Sequence, residues 1–188
     1  MIEIKIKDID LSFNTAPHLF SPRGLDAGTA AMLSNIDFHQ SDKVLDLGCG
    51  YGVVGIYAAK LIGPQKIVMC DIDPIAVEIS RQNAALNNVP DIQILQSNGF
   101  QNIDVSGFTV ILSNPPYHAD FSVPKHFIEK GSNRLVVGGK MIMVTKRRDW
   151  YKNKIISIFG GVQIRETDGY FVFIAEKRST SFASKKSH

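Results

Sequence analysis

The segment Lys43-Val-Leu-Asp-Leu-Gly-Cys-Gly-Tyr-Gly52 leaves few folds open. An apolar run, short enough for one buried strand, meets Gly48, Gly50, Gly52 and Gly55 and passes into the helix-like stretch Val53 to Leu61. A strand, a glycine turn and a helix in that order open a unit of parallel sheet. Its backbone comes close to a ligand at the turn.

The rest of the chain repeats the alternation. Strands are expected at Lys43–Leu47, Lys66–Cys70, Ile92–Leu95, Phe108–Ser113 and Lys140–Thr145, and helices at Val53–Leu61, Pro124–Val136 and Trp150–Phe159. Asp73-Pro74 opens a further helix, with Asp73 as cap and Pro74 in its first turn. Ile75, Ile79 and Leu86 fall on one face of it. Val162–Glu166 and Tyr170–Glu176 close as a hairpin around Asp168-Gly169. Ahead of all this, Ile2 to Phe13 reads as two short strands turning at Asp8 to Asp10, and Thr15 to Gly28 as a loop. Thr29 to Ile36 reads as a short helix capped by Thr29. The implied class is α/β: a Rossmann-like, doubly wound, mainly parallel sheet with an antiparallel C-terminal hairpin and a short N-terminal β extension. One domain over residues 1–178 is expected, residues 1–28 forming the N-terminal strands and loop, with a flexible basic tail at 179–188.

Composition excludes several classes. Apolar residues are 44% and charged residues 21% of 188, which suits one globular domain. There is neither a run long enough to cross a membrane nor a secretory leader, so a cytoplasmic protein is expected. Cys49 and Cys70 stand apart, outside any Cys/His cluster, which argues against zinc and against a disulfide framework. The net charge of +3 is modest, but Lys146, Arg147, Arg148, Lys152 and Lys154 crowd together, as do Lys177, Arg178, Lys185 and Lys186. A solvated face and a phosphate-binding face read alike at this level.

The glycine turn fits two cofactors. Gly50-Tyr-Gly-Val-Val-Gly55 has the spacing of a dinucleotide loop, and Asp71, at the tip of the next strand, can hold ribose hydroxyls in either case. Asp46 separates them. A pyrophosphate over this turn meets a nearby carboxylate and is repelled. S-adenosylmethionine has no phosphate, and its ammonium and sulfonium are attracted by a carboxylate. Gly48 and Gly50 let the backbone approach its amino-acid part. Asn98, in Ser97-Asn98-Gly99, is placed to bond the adenine edge, although Asn-Gly is also a common turn.

Asn114-Pro-Pro-Tyr117 follows the fourth strand of the wound sheet. The Asn114 side-chain oxygen and the Pro115 carbonyl can accept hydrogen bonds from a conjugated amine and aim its lone pair at a methyl group. Two prolines stiffen the turn, and Tyr117 offers a flat face for a planar substrate. His118 and Asp120 are candidate substrate contacts. By itself Asn-Pro-Pro is a rigid turn; after this glycine loop it points to transfer onto an amine.

In these segments, with Leu19-Phe-Ser21 and Leu25-Asp-Ala-Gly-Thr29, the chain resembles the class I methyltransferase "small domain" family. Its known members include enzymes that methylate guanine N2 in ribosomal RNA, the small-subunit enzyme of the C type among them. The resemblance runs from about residue 13 to residue 177. It implies a seven-stranded sheet, cofactor contacts at Asp46, Gly48, Gly50, Asp71 and Asn98, and amine contacts at Asn114 and Pro115, with Tyr117 stacking. It places Asp26 and Thr29 beside the cofactor. Two departures stand out. The ribosomal enzymes often carry a second, N-terminal methyltransferase-like domain, for which 188 residues leave little room. Their motif commonly ends in Phe, whereas the Tyr117 form is usual in release-factor glutamine and adenine-amine methyltransferases. The expectation is an S-adenosylmethionine-dependent N-methyltransferase acting on guanine N2 of ribosomal RNA, with ribosomal RNA or the ribosomal subunit as partner. Protein-glutamine N5 and adenine-N6 transfer are the alternatives. A nicotinamide oxidoreductase and a non-catalytic RNA-binding module are rivals of other classes.

Overall fold

A computed structural model describes residues 1–116 and 120–181. Tyr117 and His118 therefore lie outside the described residues, as does the expected tail beyond residue 181.

The main sheet has seven strands in the order β5-β4-β3-β6-β7-β9-β8. These are β3 (Val44–Leu47), β4 (Ile67–Asp71), β5 (Gln93–Gln96), β6 (Phe108–Ser113), β7 (Leu135–Thr145), β8 (Gln163–Thr167) and β9 (Tyr170–Glu176). The first five run parallel to one another, β9 pairs antiparallel with β7, and β8 pairs antiparallel with β9. The doubly wound reading with a terminal hairpin holds. Strand order reverses between β3 and β6, so the carboxyl ends of these two strands open the crevice in which ligands of such sheets bind.

Period-two alternation sorts side chains onto the two faces. Ile67 and Met69 point to one core, Val68 and Cys70 to the other; Val110 and Leu112 oppose Ile111 in the same way. Helices α1 (Ala27–Ser34), α2 (Val53–Ile62) and α3 (Pro74–Leu86) contribute to the first core, and α4 (Ser122–Arg134) and α5 (Arg148–Phe159) to the second. The N-terminal strands β1 (Ile2–Ile6) and β2 (Ile9–Phe13) form a separate antiparallel sheet.

Three local expectations are corrected. Helix α1 starts two residues earlier than expected, because Asp26 rather than Thr29 is its cap: the Asp26 carboxylate accepts the Thr29 N–H at 2.8 Å. Strand β7 begins at Leu135, not Lys140, and takes the end of the expected fourth helix. The third correction bears most on the site. Of the apolar face expected on α3, Ile75 (49% exposed) and Leu86 (43%) turn outward, while Ile79 is half-buried against the first core. The buried face is Ala76, Val77, Ser80, Asn83 and Ala84. Its two polar members, Ser80 and Asn83, bond backbone that has no strand partner. Asn87, just past the helix, exchanges hydrogen bonds with Ser12 in both directions, at 3.0 and 2.7 Å. Asn83 does the same with Asn14, at 2.7 and 3.0 Å. Two amide side chains thus act as the neighbouring strand for the free edge of β2.

Candidate active site

The turn after β3 is held from three sides. Gly50 has φ +56° and Gly52 φ +100°, left-handed values that exclude an ordinary side chain at little cost. The Gly50 N–H donates to Asp71 Oδ2 at 2.8 Å, and the Gly50 carbonyl accepts from Ser80 Oγ at 2.8 Å. The Tyr51 carbonyl accepts from Asn83 Nδ2 at 2.8 Å. A Cβ at Gly48 or Gly50 meets no protein atom within 4 Å, whereas at Gly52 it runs into Met69 Cε at 2.9 Å. The first two glycines therefore border open space, and the third is also needed for packing.

That space is a cavity of about 350 Å³. Four aspartates line it, Asp26, Asp46, Asp71 and Asp73, and burial raises the pKa of two of them, Asp46 and Asp71. Asp46 points to the α2 side of β3 and accepts the Gly55 N–H at 2.9 Å. Only 4% of the residue is exposed. Burial pushes its pKa up to about 7; the Gly55 bond opposes this, and the charge on Asp71 adds to it. Asp71 accepts from Gly50 and, at 3.0 Å, from the Asp73 N–H. Burial raises its pKa as well, against those two bonds. Two desolvated carboxylates on one wall are stabilised by an incoming cation and destabilised by an incoming phosphate. The cavity thus fits the sulfonium and ammonium of S-adenosylmethionine and disfavours a dinucleotide. The Cys49 thiol is pushed well up by burial and Cys70 to about 12, so both are inert packing residues.

Opposite this wall, at the end of β6, stands Asn114. Its Nδ2 donates to Asp26 Oδ2 at 2.9 Å and to Thr29 Oγ1 at 3.0 Å. Both partners accept from the amide nitrogen, so this pair sets which way the amide faces. The Asn114 Oδ1 is buried and has no hydrogen bond among the described residues. A buried acceptor without a donor costs on the order of 1–3 kcal/mol, so it marks a place where a donor is expected. The preceding Ser113 Oγ bonds the Leu47 carbonyl at 2.8 Å and ties the end of β6 to β3.

The structure brings the expected residues together. Asp26, Thr29, Asp46, Gly48, Gly50, Asp71 and Asn98 border the cavity, and so do Asn114 and Pro115. Asp26 and Thr29 have a more specific place than expected, on the Asn114 amide. Asp120 is a turn residue: its carboxylate accepts the Ser122 N–H at 2.7 Å and the Ser122 hydroxyl, which lower its pKa. The sequence reading missed Tyr51, whose hydroxyl lies 3.1 Å from the Ser21 carbonyl and 3.2 Å from that of Gly24, fastening the N-terminal loop over the glycine turn. It also missed Ile72, an aliphatic residue lining the cavity beside Asp71 though 61% exposed, and His18, whose Nε2 is 3.4 Å from the Asp73 carboxylate. An isoleucine directly after Asp71, the aspartate expected to hold ribose, was a usable signal. The Tyr51 contact was not, because it spans a loop of irregular backbone.

Comparison with known proteins agrees with this geometry. A ribosomal RNA small subunit methyltransferase C from Serratia proteamaculans is 34% identical over 167 residues, covering 86% of this chain and 47% of its own. An uncharacterized protein from Bacillus subtilis, YbxB, is 28% identical over 92% of this chain and 89% of its own. A structure of a T. thermophilus 16S rRNA N2 methyltransferase, in complex with AdoMet and guanosine, superposes with a TM-score of 0.85 at 24% identity, over 94% of this chain and 50% of that one. The chain spans about half the length of the ribosomal relatives it matches. The family model of the methyltransferase small domain matches residues 10–174. The chain belongs to the methyltransferase small domain family.

Proposed function

We propose that this chain is an S-adenosylmethionine-dependent N-methyltransferase whose acceptor is an exocyclic amine, guanine N2 in ribosomal RNA. The observation that carries it is the buried Oδ1 of Asn114, without a hydrogen bond among the described residues, on a cavity that also holds two desolvated carboxylates. The choice of guanine in ribosomal RNA follows the similar T. thermophilus enzyme, a 16S rRNA N2 G1207 methyltransferase, and the ribosomal RNA small subunit methyltransferase C relatives.

The cofactor supplies an electrophilic methyl group carried on a sulfonium. Gly48 and Gly50 would admit its amino-acid part, Asp46 would provide the compensating charge, and Asp71 would take the ribose hydroxyls with Ile72 against the base. Asn98 lies at the adenine end. Asn114 Oδ1 and the Pro115 carbonyl accept the two amine hydrogens, which turns the nitrogen lone pair toward the methyl and raises its density as attack proceeds. Bound there, the cofactor would give up the methyl and keep the carbon–sulfur electron pair, and the extra amine proton would leave to solvent after transfer. Asp26 and Thr29 are positioning residues: they hold Nδ2, so Oδ1 faces the acceptor.

Labelled methyl transfer tests the reading. The wild-type protein is expected to label small-subunit ribosomal RNA and yield N2-methylguanosine on digestion. Asn114→Ala should lose turnover while still binding S-adenosylhomocysteine. Label appearing in a protein glutamine, or at adenine, replaces the guanine reading with one of the others that the Tyr117 form of the motif allows.

A further inference from the structure

The five cations of the 146–154 cluster are not equivalent. Lys154 is paired with Glu129, and Arg148 lies 3.1 Å from Asp149. Lys146 and Arg147 are exposed, and neither is in an ion pair among the described residues. Each sits instead over an aromatic ring. Lys146 Nζ is 4.8 Å from the Tyr170 ring centre, and the Arg147 guanidinium is 5.1 Å from that of Phe121.

The difference matters for what these cations can do. A carboxylate partner cancels charge. A ring face holds the cation in place through its quadrupole, leaving net charge and outward N–H donors available to an anion. The rings are themselves fixed. Phe121 stacks on Trp150 at 4.4 Å, Trp150 meets Tyr151 edge-on at 5.3 Å, and Tyr151 stacks on the fully buried Phe173 at 5.8 Å. Tyr170 packs so tightly against α1 that a Cβ on Gly28 would meet its Cε1 at 2.8 Å.

Their position is the second argument. Lys146 and Arg147 follow β7, whose Met143 is level with Ser113, the residue before Asn114. Tyr170 opens β9 beside the end of β7, and Phe121 directly precedes α4. The two ring-held cations therefore flank the acceptor side of the sheet's carboxyl edge, with Gly28 between Asp26 and Thr29 touching one of the rings.

We propose that Lys146 on Tyr170 and Arg147 on Phe121 form a phosphate-binding rim that holds the single-stranded RNA backbone on either side of the target nucleotide. The proposal rests on the reading of the acceptor as RNA. A single strand suits it, because a base can reach Asn114 only when it is out of its stack, and spaced cations over aromatic rings follow a backbone without demanding a sequence.

The test combines binding to a short guanine-containing single-stranded RNA across salt with methyl transfer to ribosomal RNA. For the double variant Lys146→Gln/Arg147→Gln, the slope of log affinity against log salt should fall by about 0.7 for each cation removed. KM for RNA should rise at least tenfold, with the S-adenosylhomocysteine Kd unchanged. Arg148→Gln should change the slope by less than either single substitution in the pair. An unchanged slope in the double variant, with wild-type transfer to RNA intact, overturns the rim and leaves the function standing. So does an Arg148→Gln effect as large as that of Arg147→Gln. Wild-type transfer to protein and to no RNA overturns both.

Discussion

Asp26 and Asn114 stand 88 positions apart in the chain and meet at 2.9 Å, carboxylate to amide. The same Asp26 oxygen caps α1 through the Thr29 N–H, so one carboxylate fixes both a helix start and the orientation of the Asn114 amide. Asp26→Ala is expected to lower kcat at least tenfold and leave the S-adenosylhomocysteine Kd within about twofold. The lost cap should cost about 0.5–2 kcal/mol of stability. Asp26→Asn, which can still accept from both groups, should recover most of the rate. A loss of kcat matched by equal loss of cofactor affinity would return Asp26 to the cofactor side of the pocket.

Asp71 takes the opposite signature. It braces Gly50 and faces the cavity, so Asp71→Ala should weaken cofactor binding at least tenfold, roughly 1.4 kcal/mol, while kcat at saturating cofactor changes little. Stabilisation by S-adenosylhomocysteine in a thermal melt should shrink accordingly. An undiminished ligand-induced Tm shift contradicts the assignment.

Asp46 makes the ligand-free protein pH-sensitive. Its folded pKa, about 7, lies above an unfolded value near 3.9, so the folded state binds the extra proton between these pH values. The contribution of this group is complete below about pH 4 and is lost as pH rises to about 7. Asp46→Asn, which keeps an acceptor for Gly55, should raise the ligand-free Tm by several degrees at about pH 8 and by little at about pH 4. It should also abolish the charge that draws the cofactor. Equal Tm gains at both pH values would show that packing, not ionisation, explains the change.

Much of this was legible from the chain alone. The glycine turn, Asp46, Asp71 and Asn114 announced themselves because each rests on a local pattern: a strand, then a residue type that its end requires. Strands β6 and β9 were placed to the residue, since their apolar runs end on clear breaks. The face of α3 was not legible. Apolar periodicity pointed to Ile75, Ile79 and Leu86, but the helix buries Ser80 and Asn83, whose partners are backbone groups of the glycine turn and of the loop after β2. Nothing in a residue's own neighbourhood reveals a bond to Asn14, 69 positions away. The role of Asp26 was hidden for the same reason.

Asn83 is the testable centre of that hidden layer, with three hydrogen bonds to backbone and no exposure. Asn83→Asp keeps the acceptor for Asn14 and removes both donations. It should destabilise the fold by about 2–4 kcal/mol in urea and speed amide exchange around Asn14 and Tyr51. Wild-type stability in this variant would show that the Asn14 and Tyr51 carbonyls do not depend on it.

The amide ladder from α3 also bears on how the molecule behaves at concentration. A two-stranded sheet has no interior strand, and a bare edge recruits strands from other chains. Here Asn83 and Asn87 occupy the donors and acceptors of Asn14 and Ser12 that such a strand would need. Asn83 on the helix and Asn87 just past it thereby shield the β2 edge from intermolecular β pairing, a protection against aggregation that is lost if α3 unravels.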